Sequence, residues 1–155
     1  MTQHQPLHRL IYVSRFSPFF PGEQEEQDYV LCAIRRASVR NNGAAGVSGL
    51  LLVHRHHFLQ ALEGSAEAVM GVYERIVQDD RHTDIRLLGV NRADRRQFAD
   101  WALCVRRVHA RDGSVLHAPE AAGMLDPSTL GFEAALDLLT GVREARTRML
   151  LTAMA

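Results

Sequence analysis

Residues 58–64 read Phe-Leu-Gln-Ala-Leu-Glu-Gly and set one glutamine inside an apolar run with the character of a buried β-strand. A primary amide carries two donors and an acceptor oxygen. Burying it without partners costs about 1–3 kcal/mol. A fold that places this run in its core must therefore bring a polar group to Gln60. Tyr12, in another apolar strand-like run, is one candidate; a heteroaromatic ligand is another.

The other elements follow from periodicity. Leu7–Ser14 is rich in β-branched and aromatic residues and predicts a first strand. Phe16–Gly22, with two prolines, predicts a loop. Glu23–Arg40 carries Tyr29, Val30, Ala33, Ile34 and Ala37 at helical spacing, with acids first and arginines last, as the helix dipole favours. Asn41–Gly46 stops that helix. Val47–Val53 and Phe58–Leu62 predict a hairpin across His54, Arg55, His56 and His57. Ser65 is a candidate N-cap for a second helix with Val69, Met70, Val72, Tyr73 and Ile76 on its apolar face. Asp79–His82 is expected to close it. Ile85–Val90 predicts a fourth strand, and Phe98, Trp101, Leu103 and Val105 mark a fifth.

This order, β-α-β-β-α-β-β, contains the split βαβ pattern of ferredoxin-like folds. The expected class is α+β: a five-stranded mixed sheet, two helices on one face, and a C-terminal helical segment. Residues 7–108 form the expected domain, and 109–155 an extension that is not an independent domain. Asp126-Pro127 is a helix start signal. Leu130, Phe132, Ala135, Leu138 and Leu139 give the extension an apolar side that must pack on the sheet's open face or on another chain. Gly141 is expected to break the helix, with Val142–Ala155 as a final segment.

Composition narrows the chemistry. The 155 residues are 46% hydrophobic, enough for one core, and 18 basic residues balance 18 acidic ones. No global field draws nucleic acid or a membrane. Every basic residue other than histidine is arginine, which excludes Schiff-base and P-loop lysine chemistry. Cys32 and Cys104 fit no metal or redox spacing and read as reduced core thiols. The histidines of 54–57 lack a cysteine or carboxylate neighbour, so no metal site is expected. No signal peptide and no long apolar span is present, so a soluble cytoplasmic protein is the expectation.

Five segments occur in one order: LIYVS with Tyr12, RNNGAAGVSGLLL with Asn42, FLQALEG with Gln60, DDRH with Arg81 and His82, and FADWAL with Trp101. Taken alone, each has a plain reading. Tyr12 and Trp101 would be core, Asn42 a helix cap, and Arg81-His82 a pair that complements a helix end. Together they resemble the BLUF family of blue-light sensors that use flavin. The resemblance implies noncovalent FAD between the two helices of the ferredoxin-like layer. It places Tyr12 and Gln60 at the reactive edge of the flavin, Asn42 on its pyrimidine side, Ile34 against its plane, and Arg81 and His82 near the ring and ribityl-phosphate. Tyr12, Gln60 and Trp101 would form the photoactive switch. Light would drive electron and proton transfer from the tyrosine and back, leaving the Gln60 amide rearranged and the absorption red-shifted.

Two features depart from the family pattern. Leu103 stands where the family usually has methionine, and leucine cannot accept a hydrogen bond. The FSPFFPGEQ loop is longer than usual. The resemblance implies a sensor rather than an enzyme, of the short stand-alone type, that signals through its C-terminal segment. Its expected partners are an unidentified downstream protein and further copies of itself. A flavin-free ferredoxin-like adaptor and a flavin-dependent enzyme are the alternatives; the enzyme would need an NAD(P)H fingerprint that the sequence lacks.

Overall fold

A computed structural model of the chain describes residues 5–16, 44–54, 57–80, 82–99, 105–107 and 130–154. The described elements are β1 (Leu7–Phe16), β2 (Ser48–His54), β3 (His57–Ser65), α1 (Ala66–Val77), β4 (His82–Arg92), β5 (Val105–Arg107) and α2 (Phe132–Met154). The strands form one sheet in the order β4-β1-β3-β2-β5. Neighbours among β1 to β4 run antiparallel, and β5 lies parallel to β2, so the sheet is mixed. The fold is α+β and ferredoxin-like. The helix expected over Glu23–Arg40 lies outside the described residues.

β3 explains why the sheet is ordered this way. Its residues from Phe58 to Gly64 are all buried, because β1 and β2 flank it and both sheet faces are covered. Successive side chains alternate between the faces. On one face Leu10, Tyr12, Val47 and Leu62 pack with Val69 and Val72 of α1. On the other, Ile11, Val13, Leu50, Leu52, Leu59, Ala61 and Phe98 pack with Leu130, Ala135, Leu138 and Leu139. The start of α2 therefore takes the sheet's open face.

Local signals hold where caps and turns dictate them. Ser65 caps α1, its hydroxyl accepting from the Ala68 N–H at 3.1 Å. β2 and β3 form the hairpin, with His54 opposite His57. Gly49 is obligatory on β2, because a Cβ there would overlap the carbonyl oxygen of Ala61. β4 pairs with β1 through two register shifts, and Asp84 takes a positive φ of 51° beside one of them. A bulge residue adopts such a backbone, and aspartate tolerates it better than most residues.

Four expectations need correction. His82 does not close a helix; α1 ends at Val77 and His82 opens β4, because β1 pairs with β4 as far as Phe16 and extends both strands. Phe98 is not in the fifth strand. It sits in the bend before it, fully buried under α2. α2 begins at Phe132, with Leu130 and Gly131 non-helical and the Ala135 N–H bonded to the Gly131 carbonyl at 3.0 Å. Gly141 does not break α2, which continues through it. A helical glycine costs only about 1 kcal/mol relative to alanine. The docking of Leu138 and Leu139 on one side of it, and of Arg143 on the other, offsets that. No helix among the described residues is long and apolar enough to cross a membrane.

Candidate functional site

Tyr12 and Gln60 are direct cross-strand partners at the centre of the sheet. Both point to the face covered by α1, and they are 1% and 3% exposed. The Tyr12 hydroxyl donates to Gln60 Oε1. Leu51 of β2 lies opposite Gln60 on its other side, so the amide has apolar strand neighbours apart from the phenol. Among the described residues the Gln60 amide nitrogen meets no acceptor. Both of its N–H donors are thus buried and unsatisfied by this part of the protein.

The side chains around the pair on this face are mostly aromatic. Residues two apart on a strand share a face. This brings Ser14 beside Tyr12 and Phe58 beside Gln60. His82 joins them from β4: its Nδ1 lies 2.9 Å from Ser14 Oγ, and its ring centroid is 4.9 Å from that of Phe58. It stands edge-on to Tyr12 with ring centroids 6.3 Å apart. Tyr73 of α1 approaches Tyr12 at 5.7 Å with tilted rings.

Burial pushes the Tyr12 phenol far above its usual range, and the Asp79 carboxylate and then Tyr73 add to the effect. Desolvation and a nearby negative charge both disfavour the phenolate. Tyr12 is therefore a neutral, permanent donor. Burial also raises Tyr73.

Of the residues expected to form the site, Tyr12, Gln60 and His82 come together on one face. Ile34, Asn42, Arg81 and Trp101, with Leu103, lie outside the described residues. Ser14, Phe58 and Tyr73 were not anticipated. The signal for the first two was available, since each stands two positions from a site residue on the same strand.

This group of side chains suits a flavin edge. It offers a buried amide whose two donors are unused among the described residues, and the carbonyl and nitrogen acceptors of an isoalloxazine ring would satisfy them. Aromatic side chains beside it suit the flat faces of such a ring.

Comparison with known proteins points the same way. The family model described as "BLUF: Sensors of blue-light using FAD" matches residues 7–104. The chain is 38% identical over 100 residues to the blue light- and temperature-regulated antirepressor BluF of Escherichia coli; the match covers 63% of this chain and 23% of that protein. It is 38% identical over 74 residues to the photoactivated adenylate cyclase subunit beta of Euglena gracilis, covering 47% of this chain and 9% of that protein. The chain thus spans less than a quarter of the length of either relative. Its fold matches the dark-state structure of the BLUF protein BlrB at a TM-score of 0.70, with 24% identity, over 92% of this chain and 98% of that one. A bacterial light-regulated adenylyl cyclase matches at a TM-score of 0.64, with 31% identity, over 79% of this chain and 34% of that one. The chain therefore belongs to the BLUF family, the flavin-binding sensors of blue light.

Proposed function

We propose that the chain holds FAD against the α1 face of its sheet and acts as a light-driven hydrogen-bond switch, with Gln60 as the moving part and Tyr12 as electron and proton donor. The observation that carries this reading is the Tyr12–Gln60 bond, which leaves both amide N–H donors of a buried glutamine without an acceptor among the described residues. Ile34, Asn42, Arg81 and His82 would hold the flavin, by their correspondence to the family's motifs.

When bound, the flavin absorbs blue light and becomes a strong electron acceptor. The residues of the chain supply the rest. Tyr12 is neutral and buried, so removing an electron from it leaves a cationic phenol in a medium that stabilises charge poorly. The phenol proton must leave with the electron, and Gln60 Oε1 is the acceptor already in contact with it. Return of the electron and proton restores Tyr12. Gln60, having turned or tautomerised, then presents a different group to the ring. The same atoms make two hydrogen-bond arrangements, and no net redox change remains. The chain is thus a sensor rather than an enzyme. Its output is a changed contact with a downstream protein or with further copies of itself, carried through the sheet and the C-terminal helix.

The test is a visible absorption spectrum of the purified protein, recorded in the dark and after blue light, with chromatography of the released cofactor. A yellow protein with a small reversible red shift and released FAD supports the reading. Released FMN would overturn the choice of cofactor. A colourless protein that fails to take up added FAD would favour an adaptor module.

A further inference from the structure

Glu63 is fully buried on the face opposite Gln60, three residues further along the same strand. It does not act alone. Arg9 Nη2 reaches its Oε2 at 2.7 Å and Arg9 Nε at 2.9 Å. The same carboxylate accepts from the Gln97 backbone N–H at 2.9 Å and from that of Phe98 at 2.7 Å. Arg96 adds bonds to the Glu63 carbonyl at 2.9 Å and to Ser48 Oγ at 2.8 Å. The segment after β4 is thus bolted to β3 by charge-assisted hydrogen bonds, the strong class.

That segment also grips the C-terminal helix. Arg143 Nη1 donates to the Gln97 carbonyl at 2.6 Å and to Gln97 Oε1 at 2.8 Å. Gln97 is therefore donor to Glu63 and acceptor from Arg143 at once. The helix has a separate anchor at its start, where Arg86 bonds the Leu130 carbonyl at 3.2 Å and Ala135, Leu138 and Leu139 pack in the core. The Gln97–Arg143 contact lies past this packed part. It can change while the packed turns stay in place.

From this we infer that Gln97 and Arg143 are positioning residues that carry a movement of β3 to α2, by way of the Glu63 carboxylate. A tilt of β3 when Gln60 rearranges displaces Glu63, because the two lie three residues apart on one strand, about 10 Å at about 3.3 Å per residue. Glu63 moves the two backbone N–H groups it holds, and Gln97 then loosens or tightens its grip on Arg143. The route crosses the sheet and does not pass through Trp101. It rests on the switch proposed for Gln60.

The experiment is amide hydrogen exchange across α2, in the dark and under blue light, on the full chain with its flavin, alongside the absorption shift. Three proteins are compared: the parent, Arg143→Met and Arg143→Lys. Arg143 is half-buried at the surface, so its loss should leave the fold intact. All three should show the red shift. In the parent, light should change exchange in α2 by at least about 5-fold, the lower end of typical couplings between sites. Arg143→Met should lose that light-dependent difference, and Arg143→Lys, which keeps one donor for the Gln97 carbonyl, should recover part of it. A red shift with no light-dependent exchange in the parent's α2, or with a full one in Arg143→Met, overturns the relay. Failure of the parent to show any red shift overturns the proposed switch itself, and the relay with it.

Discussion

Arg9 faces Glu63 across the β1–β3 ladder, three positions from the Tyr12–Gln60 pair and on the other side of the sheet. One antiparallel register therefore aligns two polar pairs. One is neutral and faces α1; the other is ionic and faces α2. Both are buried, and their roles differ. Among the described residues the neutral pair has spare donors, while the ionic pair is saturated by the backbone of the segment after β4.

The ionic pair should be costly to break. Glu63→Gln leaves Arg9, 8% exposed, without its countercharge and weakens the hold on Gln97 and Phe98. The expected loss is about 3–5 kcal/mol in urea denaturation. The double variant Arg9→Met, Glu63→Leu should lose less than the sum of the two single changes, because it leaves no lone buried charge.

Tyr12 gives the stability a defined pH dependence. Its phenol is raised in the folded protein above the ordinary value of 10.0. A raised value means the folded state holds the proton more tightly than the unfolded chain. The contribution is complete below about pH 10 and falls away as pH rises from there toward the folded value, by up to about 1.4 kcal/mol per pH unit. Urea midpoints at about pH 9 and about pH 11 should diverge more in the parent than in Tyr12→Phe. Equal divergence would mean that Tyr12 ionises normally.

Gly49 should tolerate no side chain. Gly49→Ala drives a methyl group into the Ala61 carbonyl oxygen between β2 and β3. Overpacking of this kind costs about 1–3 kcal/mol, here next to Gln60's own strand, so thermal unfolding should shift down. Gly71, with open space around its Cβ position, should accept alanine without loss and serves as the control.

The packing of α2 predicts its own pair of outcomes. Leu139→Ala, at a fully buried position, should cost about 2–5 kcal/mol. Removing residues 130–155 should uncover Ile11, Val13, Leu50, Leu59 and Phe98. An apolar face of that kind drives self-association. Size-exclusion chromatography should show a larger species than the full chain, and unchanged elution would contradict the role given to α2.

Much of this arrangement was legible in the sequence, and the failures have specific causes. The run 58–62, apolar except for Gln60, marks a strand buried on both sides, and the isolated Gln60 calls for a partner that Tyr12 supplies. Glu63 has no partner in its own motif, since Arg9 lies 54 residues away. Yet an antiparallel pairing of Tyr12 with Gln60 already sets Arg9 opposite Glu63. The charge of His82 suits a helix end, but the extent of the β1–β4 ladder decides its place. Gly141 alone does not break the helix. Tertiary docking on both sides of it outweighs its weak local preference.

The most direct test of the central claim compares light-minus-dark absorption spectra of the parent and of Gln60→Leu, with bound flavin measured in both. Leucine is close to glutamine in size but has no donor for the ring and no acceptor for Tyr12. The account predicts that both proteins bind flavin, that the parent shifts reversibly to the red, and that the variant does not shift. An equal red shift in Gln60→Leu would contradict it, because the switch would then lie elsewhere than in the Gln60 amide.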